Sequence, residues 1–109
     1  MRDTVKVQII TNGDMSATIY SKVIDVRNLK TGSVQAVWTG NPIGRLTIES
    51  SNDGENFSEV QDSGESLSGI TGNNFMYSIS EIGYHYIRFV YSQASGSGTL
   101  NAFMVVKGN

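Results

Sequence analysis

Apolar and polar residues alternate with a period of two along most of this chain, the spacing of half-buried β-strands. No stretch sustains the 3.6-residue apolar period of an amphipathic helix. The cleanest run is residues 33–39, with Val34, Ala36 and Trp38 on one face and Gln35, Val37 and Thr39 on the other. That phase makes Trp38 a core anchor. Residues 45–49 repeat the pattern, turning Leu46 and Ile48 to the core and Arg45, Thr47 and Glu49 to solvent. Asn52-Asp53-Gly54 accepts positive φ and predicts a tight turn, with Phe57 packing back over the hairpin from the return strand. Residues 84–91 place His85, Ile87, Phe89 and Tyr91 on one face and Tyr84, Tyr86, Arg88 and Val90 on the other. In residues 99–106 both faces are apolar, as in a strand that is central or covered by a partner.

Weaker signals fill the gaps. Residues 4–10 predict a first strand ended by a turn at Asn12-Gly13-Asp14. Residues 15–26 predict a longer strand bent at Ser21-Lys22, followed by a polar loop over 27–32. Gly40-Asn41-Pro42 is a turn. The Ser/Gly-rich stretch 62–74 is a long loop with a short strand near Leu67, and residues 75–79 are another short strand. A corner at 80–83 and a flexible turn at 93–98 complete the set. About eight short strands separated by Gly, Asn and Ser turns predict an all-β, antiparallel β-sandwich of jelly-roll type. Its 109 residues suit a single domain over 1–109.

Composition narrows the functional classes. Hydrophobic residues are 39% of the chain, as expected of a thin two-layer structure with exposed sheet faces. Net charge is −2 and the eight basic residues are scattered, which argues against a nucleic-acid partner. The absence of cysteine excludes disulfides and thiolate metal sites and fits synthesis in a reducing bacterial cytoplasm. No apolar run reaches the roughly 20 residues that span a bilayer, so no membrane role is expected. The N-terminus reads as a strand rather than a signal peptide.

The chemistry of particular residues points away from an enzyme. His85 is the one histidine and lies in a strand pattern. Gly64-Glu65-Ser66-Leu67-Ser68 misses the nucleophile elbow at its last position. Placing Glu49 at the first position of a calcium loop puts Val60 where the bidentate ligand belongs. The candidate carboxylates form no distinguished pair, Gly96-Ser97-Gly98 lacks the third glycine of a dinucleotide loop, and no catalytic residue, metal or cofactor is expected. What remains is an interaction surface made of Tyr84, Tyr86 and Arg88, or of the loop carrying Asn52, Asp53 and Glu55.

Several segments taken in order carry a resemblance. Residues 35–40 (QAVWTG), the hairpin ending Ser51-Asn52-Asp53-Gly54, the strand Tyr84-His85-Tyr86-Ile87-Arg88 and the tail Gly98-Thr99-Leu100-Asn101-Ala102 resemble a group of small tailed-phage and prophage virion proteins. The hairpin and the Tyr-Ile-Arg strand also resemble parts of discoidin-type jelly rolls, as fold analogy. Phe57 stands where that virion group more often has tryptophan. The resemblance implies a virion component, of capsid-decoration or head-fibre type, or a tail-associated adhesin piece that binds carbohydrate. The two apolar faces of residues 99–106 and the Tyr84 and Tyr86 stripe predict a homo-oligomer, which the resemblance favours as a trimer with phage capsid or tail proteins as partners.

Overall fold

The computed structural model describes residues 4–27, 29–60, 63–68, 74–79 and 82–107. Among them are ten strands: β1 (Thr4–Asp14), β2 (Ile19–Tyr20), β3 (Ile24–Asp25), β4 (Thr31–Gly40), β5 (Ile43–Ser51), β6 (Ser58–Glu59), β7 (Glu65–Ser68), β8 (Asn74–Ile79), β9 (Tyr86–Ser95) and β10 (Gly98–Lys107). The first sheet has the order β1-β10-β4-β8. In the second, β9 pairs with β5; β2 and β3 lie along the free side of β9, and β6 and β7 along the free side of β5. Every pairing is antiparallel. Because two edge positions are each split, the ten strands occupy eight positions, four in each sheet. This is the jelly-roll sandwich that the alternating pattern predicts.

The strand phases follow from burial. Val34, Ala36 and Trp38 of β4 and Leu100, Ala102, Met104 and Val106 of β10 face Leu46 and Ile48 of β5 and Ile87, Phe89 and Tyr91 of β9 in one core. Phe75 of β8 stacks on Phe89 at 6.2 Å between ring centres, tying an edge of one sheet to the centre of the other. β10 is indeed central, between β1 and β4.

Three expectations are corrected. Asn12-Gly13 does not end the first strand. Asn12 has φ 49° and sits in a bulged stretch, with register shifts on either side of Ile10, so the strand runs on to Asp14. The first shift lets the consecutive Ile9 and Ile10 both enter the core, which strict alternation forbids. Residues 15–26 give two two-residue strands instead of one long one, parted at the Ser21-Lys22 bend. Thr47, placed on the solvent face by its phase, is buried at 5% exposure opposite Val90 of β9.

Breaks at the edges of the second sheet leave backbone groups that serines satisfy. Between β2 and β3, Ser21 Oγ accepts the Phe89 amide at 2.8 Å, and its own amide donates to the Phe89 carbonyl at 2.8 Å. Between β6 and β7, the fully buried Ser63 Oγ accepts the Ile48 amide at 3.1 Å and donates to the Ile48 carbonyl at 3.3 Å. Phe89 and Ile48 are direct cross-strand partners, so the two serines close the two ends of one row. Each supplies the bond that a continuous edge strand would have made.

The turns from β4 to β5 and from β9 to β10 interlock. The Asn41 amide donates to the Ser97 carbonyl at 3.0 Å. A Cβ on Gly98 would strike the Thr39 carbonyl oxygen, one on Gly96 (φ 77°) the Asn41 carbonyl oxygen, and one on Gly40 (φ 88°) would lie 2.6 Å from the Ser97 oxygen. Only glycine permits this approach of backbone to backbone.

Two stability series test these features by urea denaturation. Ser21→Ala and Ser63→Ala should each cost about 1–3 kcal/mol, since each leaves a buried amide unpaired. Gly98→Ala should cost about 2 kcal/mol or more. Gly83→Ala, where an added Cβ meets nothing within 4 Å, should stay within about 0.5 kcal/mol. Similar losses at Gly83 and Gly98 would show that the interlock does not constrain the fold.

Candidate interaction surface

The outer face of the second sheet carries the concentrated chemistry. On β9 the inward set Ile87, Phe89 and Tyr91 forces Tyr86, Arg88 and Val90 outward. Cross-strand register then puts Glu49 opposite Arg88, Thr47 and Tyr20 opposite Val90, and Ser51 and Asp25 opposite Tyr86. Each of the three arginines on this side has its own carboxylate. Arg88 meets Glu49 at 2.7 Å, Arg45 binds Glu59 through two bonds of 3.0 and 2.9 Å, and Arg27 meets Asp25 at 2.6 Å. Hydrogen bonds from Arg27 hold the Asp25 carboxyl below its ordinary value, and those from Arg45 do the same for Glu59. The guanidiniums of Arg27 and Arg45 shift upward by the same bonds.

Arg88 is the centre of this face. Its guanidinium carbon lies 4.1 Å from the Phe57 ring centre and 4.8 Å from that of Tyr20, so a cation sits against two aromatic rings and one carboxylate. Phe57, on the return from the hairpin, packs over Arg88 and so beside Glu49 of β5. Beside the cluster, Thr47 and Val90 are buried at 5% and 3% although they point outward. Val90 has Tyr20 directly opposite on one side and Thr47 on the other, with Arg88 two residues along its strand. Tyr20 itself is 59% exposed. The sequence reading passed over it because Tyr20 lies in a segment read as one long strand, and its meeting with Arg88 depends on pairing across 68 residues.

The loop after β5 is built by its own side chains. Ser51 Oγ accepts the amides of Asp53 and Gly54 at 3.2 and 2.9 Å and donates to Asp53 Oδ1 at 2.8 Å. Asp53 Oδ1 accepts the amides of Glu55 and Asn56 at 2.9 and 2.8 Å, and Oδ2 accepts Asn56 Nδ2 at 2.7 Å. This is a longer loop than the tight turn expected, because Asp53 organises the following backbone around its carboxylate. The same bonds, led by those from Asn56 and Glu55, hold the Asp53 carboxyl far below the ordinary range. Asp53 is thus committed inside the loop, Glu55 is exposed, and Asn52 Oδ1 accepts the His85 amide at 3.2 Å.

The structure brings part of the predicted surface together. Gly54 rests near the Tyr86 ring, whose other neighbour is Arg27 at 5.7 Å, so loop and strand meet at Tyr86. Tyr84 does not join Tyr86 and Arg88 in a stripe. It precedes β9, packs half-buried on the core, and has no hydrogen-bond partner for its buried hydroxyl among the described residues; burial pushes its pKa up. Alternation fails there because residues 84 and 85 belong to a bend rather than to the strand. With Asn52, Asn56 and Ser58, Tyr84 lines an open polar depression of about 330 Å³.

The outer face of the first sheet differs in kind. Half-buried Phe103, Val105 and Val37 and the 56% exposed Met76 lie among Gln8, Gln35, Ser33 and Asn101. Lys107 stands at one end and Asp14 at the other, while Lys6 reaches inward to lie over the Phe103 ring at 4.8 Å. Two shallow depressions of about 250 Å³ each open on it.

The state of Asp53 makes a pH prediction. Its folded-state pKa lies below the unfolded value near ~4, so its contribution to loop stability is fully present above that pH and is lost as pH falls through the folded value. The Glu55 and Asn56 amide resonances should therefore stay in place through pH ~4 and move only well below it. In Asp53→Asn this acid transition should vanish. Movement of the two amides with an ordinary carboxylate midpoint would show that the loop network does not form.

No protein-family model matches the chain, and no curated protein sequence matches it. Solved structures do share its fold. The SPBc2 prophage-derived protein YomS is 11% identical and superposes with a TM-score of 0.66 over 96% of this chain and 95% of its own. The PBSX exported protein XepA is 14% identical with a TM-score of 0.70, over 96% of this chain and 37% of its own. A chain of the infectious bursal disease virus Gx strain is 15% identical with a TM-score of 0.61, over 98% of this chain and 32% of its own. The chain therefore has the β-sandwich fold found in prophage-derived and viral structural neighbours.

Proposed function

We propose that the protein is a structural or accessory component of a phage particle, of capsid-decoration or head-fibre type. It is made in the bacterial host cytoplasm, acts without catalysis, and assembles as a homo-oligomer on the virion. The observation that carries this reading is the contrast between the two outer faces. The second sheet compensates each of its arginines locally, whereas the first presents a partly apolar field among amide and hydroxyl groups, with Lys6 lying over Phe103 within it. Depletion of charge with retained apolar and amide groups is the composition of an interface core. The end-to-end likeness to a prophage-derived protein, YomS, supports a phage setting.

Light scattering on the purified chain should give a closed oligomer, with a trimer expected. Met76→Glu, on an exposed side chain of that face, should dissociate it without lowering the melting temperature. Purified protein should bind undecorated particles of its own phage saturably and in fixed stoichiometry. A strict monomer at high concentration that also ignores such particles would remove this reading. A chain that is retained on host cells while ignoring the particles would establish the adhesin reading in its place.

A further inference from the structure

We propose that the Tyr20, Arg88 and Glu49 assembly on the outer face of the second sheet is a binding site for the pyranose rings of a neutral glycan. This goes beyond a particle role, and it uses the face opposite to the one assigned to assembly. The sequence reading looked for a stacking platform at Tyr84 and Tyr86. The structure packs half-buried Tyr84 against the core, sets Tyr86 among Gly54, Arg27 and His85, and supplies Tyr20 instead.

Three features specify the ligand. The first is an aromatic surface: Tyr20 is 59% exposed while its ring caps a guanidinium, so it is held in place by a fixed partner yet open to solvent. Sugar rings present a flat face of C–H groups that stacks on such a ring. The second is unused hydrogen-bonding capacity. Arg88 spends Nε and Nη2 on one oxygen of Glu49, at 2.7 Å each. Among the described residues this leaves Arg88 Nη1 as a donor and Glu49 Oε2 as an acceptor, both on partly exposed side chains beside the ring. A donor and an acceptor next to a stacking surface match the alternating hydroxyls of a pyranose. The third is charge. Arg88, Arg45 and Arg27 each have a carboxylate, so none of these three guanidiniums is left unpaired for a phosphate, sulfate or uronate. Neutral sugars fit; polyanions do not.

Affinity electrophoresis in native gels tests this, using the full chain and one polymer per gel: hydroxyethylcellulose, galactomannan, or the polyanion polygalacturonate. At least one neutral polymer should retard the chain and polygalacturonate should not, with added salt leaving the retardation unchanged. Tyr20→Ala should weaken retardation about tenfold, in keeping with loss of an aromatic stacking contact, and Tyr20→Trp should retain it. The melting temperatures of these variants identify any that fails to fold. No retardation by either neutral polymer, no effect of Tyr20→Ala, or stronger retardation of the wild type by polygalacturonate would each overturn the proposal. Particle binding by folded Tyr20→Ala reports separately on the proposed function, because that contact belongs to the other sheet.

Discussion

The architecture depends on two turns that must occupy almost the same space. At β4 to β5 the chain leaves the first sheet for the second, and at β9 to β10 it returns. Joined by the Asn41 to Ser97 bond, the turns fix where the four central strands begin and end. Register propagates from there: Gly98 is paired with Gly40 and Thr99 with Thr39, and the ladder continues without a shift to Lys107 and Thr31. The glycines of the QAVWTG and GTLNA motifs thus have a shared physical reason. Each lies where the other turn's backbone allows no Cβ.

A second constraint acts where strands are interrupted. An open sheet edge is a template for unwanted pairing, and short, broken edge strands blunt it. Here both edge positions of the second sheet are broken, and each break would strand a backbone amide at the centre of the sheet. Ser21 and Ser63 resolve the conflict at the two ends of the Phe89 and Ile48 row. Protection from edge pairing and satisfaction of the core backbone therefore depend on two hydroxyls.

Strand phases were legible in the sequence where one face is dry and the other wet, because period-two alternation records that difference directly. Val34, Ala36 and Trp38 in β4, and Leu46 and Ile48 in β5, lie where the pattern puts them. Legibility ended where burial is created by distant residues. Thr47 and Val90 look like surface positions, yet both are buried, with Val90 set opposite Tyr20 from a strand 70 residues away in sequence. Tyr84 looks like a strand residue, and it is lost to the core because the bend before β9 breaks the alternation. Asn12-Gly13 carries the same turn chemistry whether it reverses a strand or bulges one, and the long-range pairing with β10 decides between them. The candidate surface was legible in part for the same reason: Arg88 is local to its strand, but its aromatic neighbours are not.

These differences give the molecule two outer faces with opposed electrostatic logic. On the second sheet, tying each guanidinium to a carboxylate lowers the cost of leaving aromatic rings and cations together at the surface, since no long-range field remains to attract unrelated anions. On the first sheet, Phe103, Val105, Val37 and Met76 lie among amide and hydroxyl groups, with Lys6 reaching over Phe103. A surface of the first kind can select a small neutral ligand by stacking and a few hydrogen bonds. The other kind selects a second protein surface by shape and register. Because the faces lie on opposite sides of one core, the chain can engage both kinds of partner at once without either contact competing for the same residues.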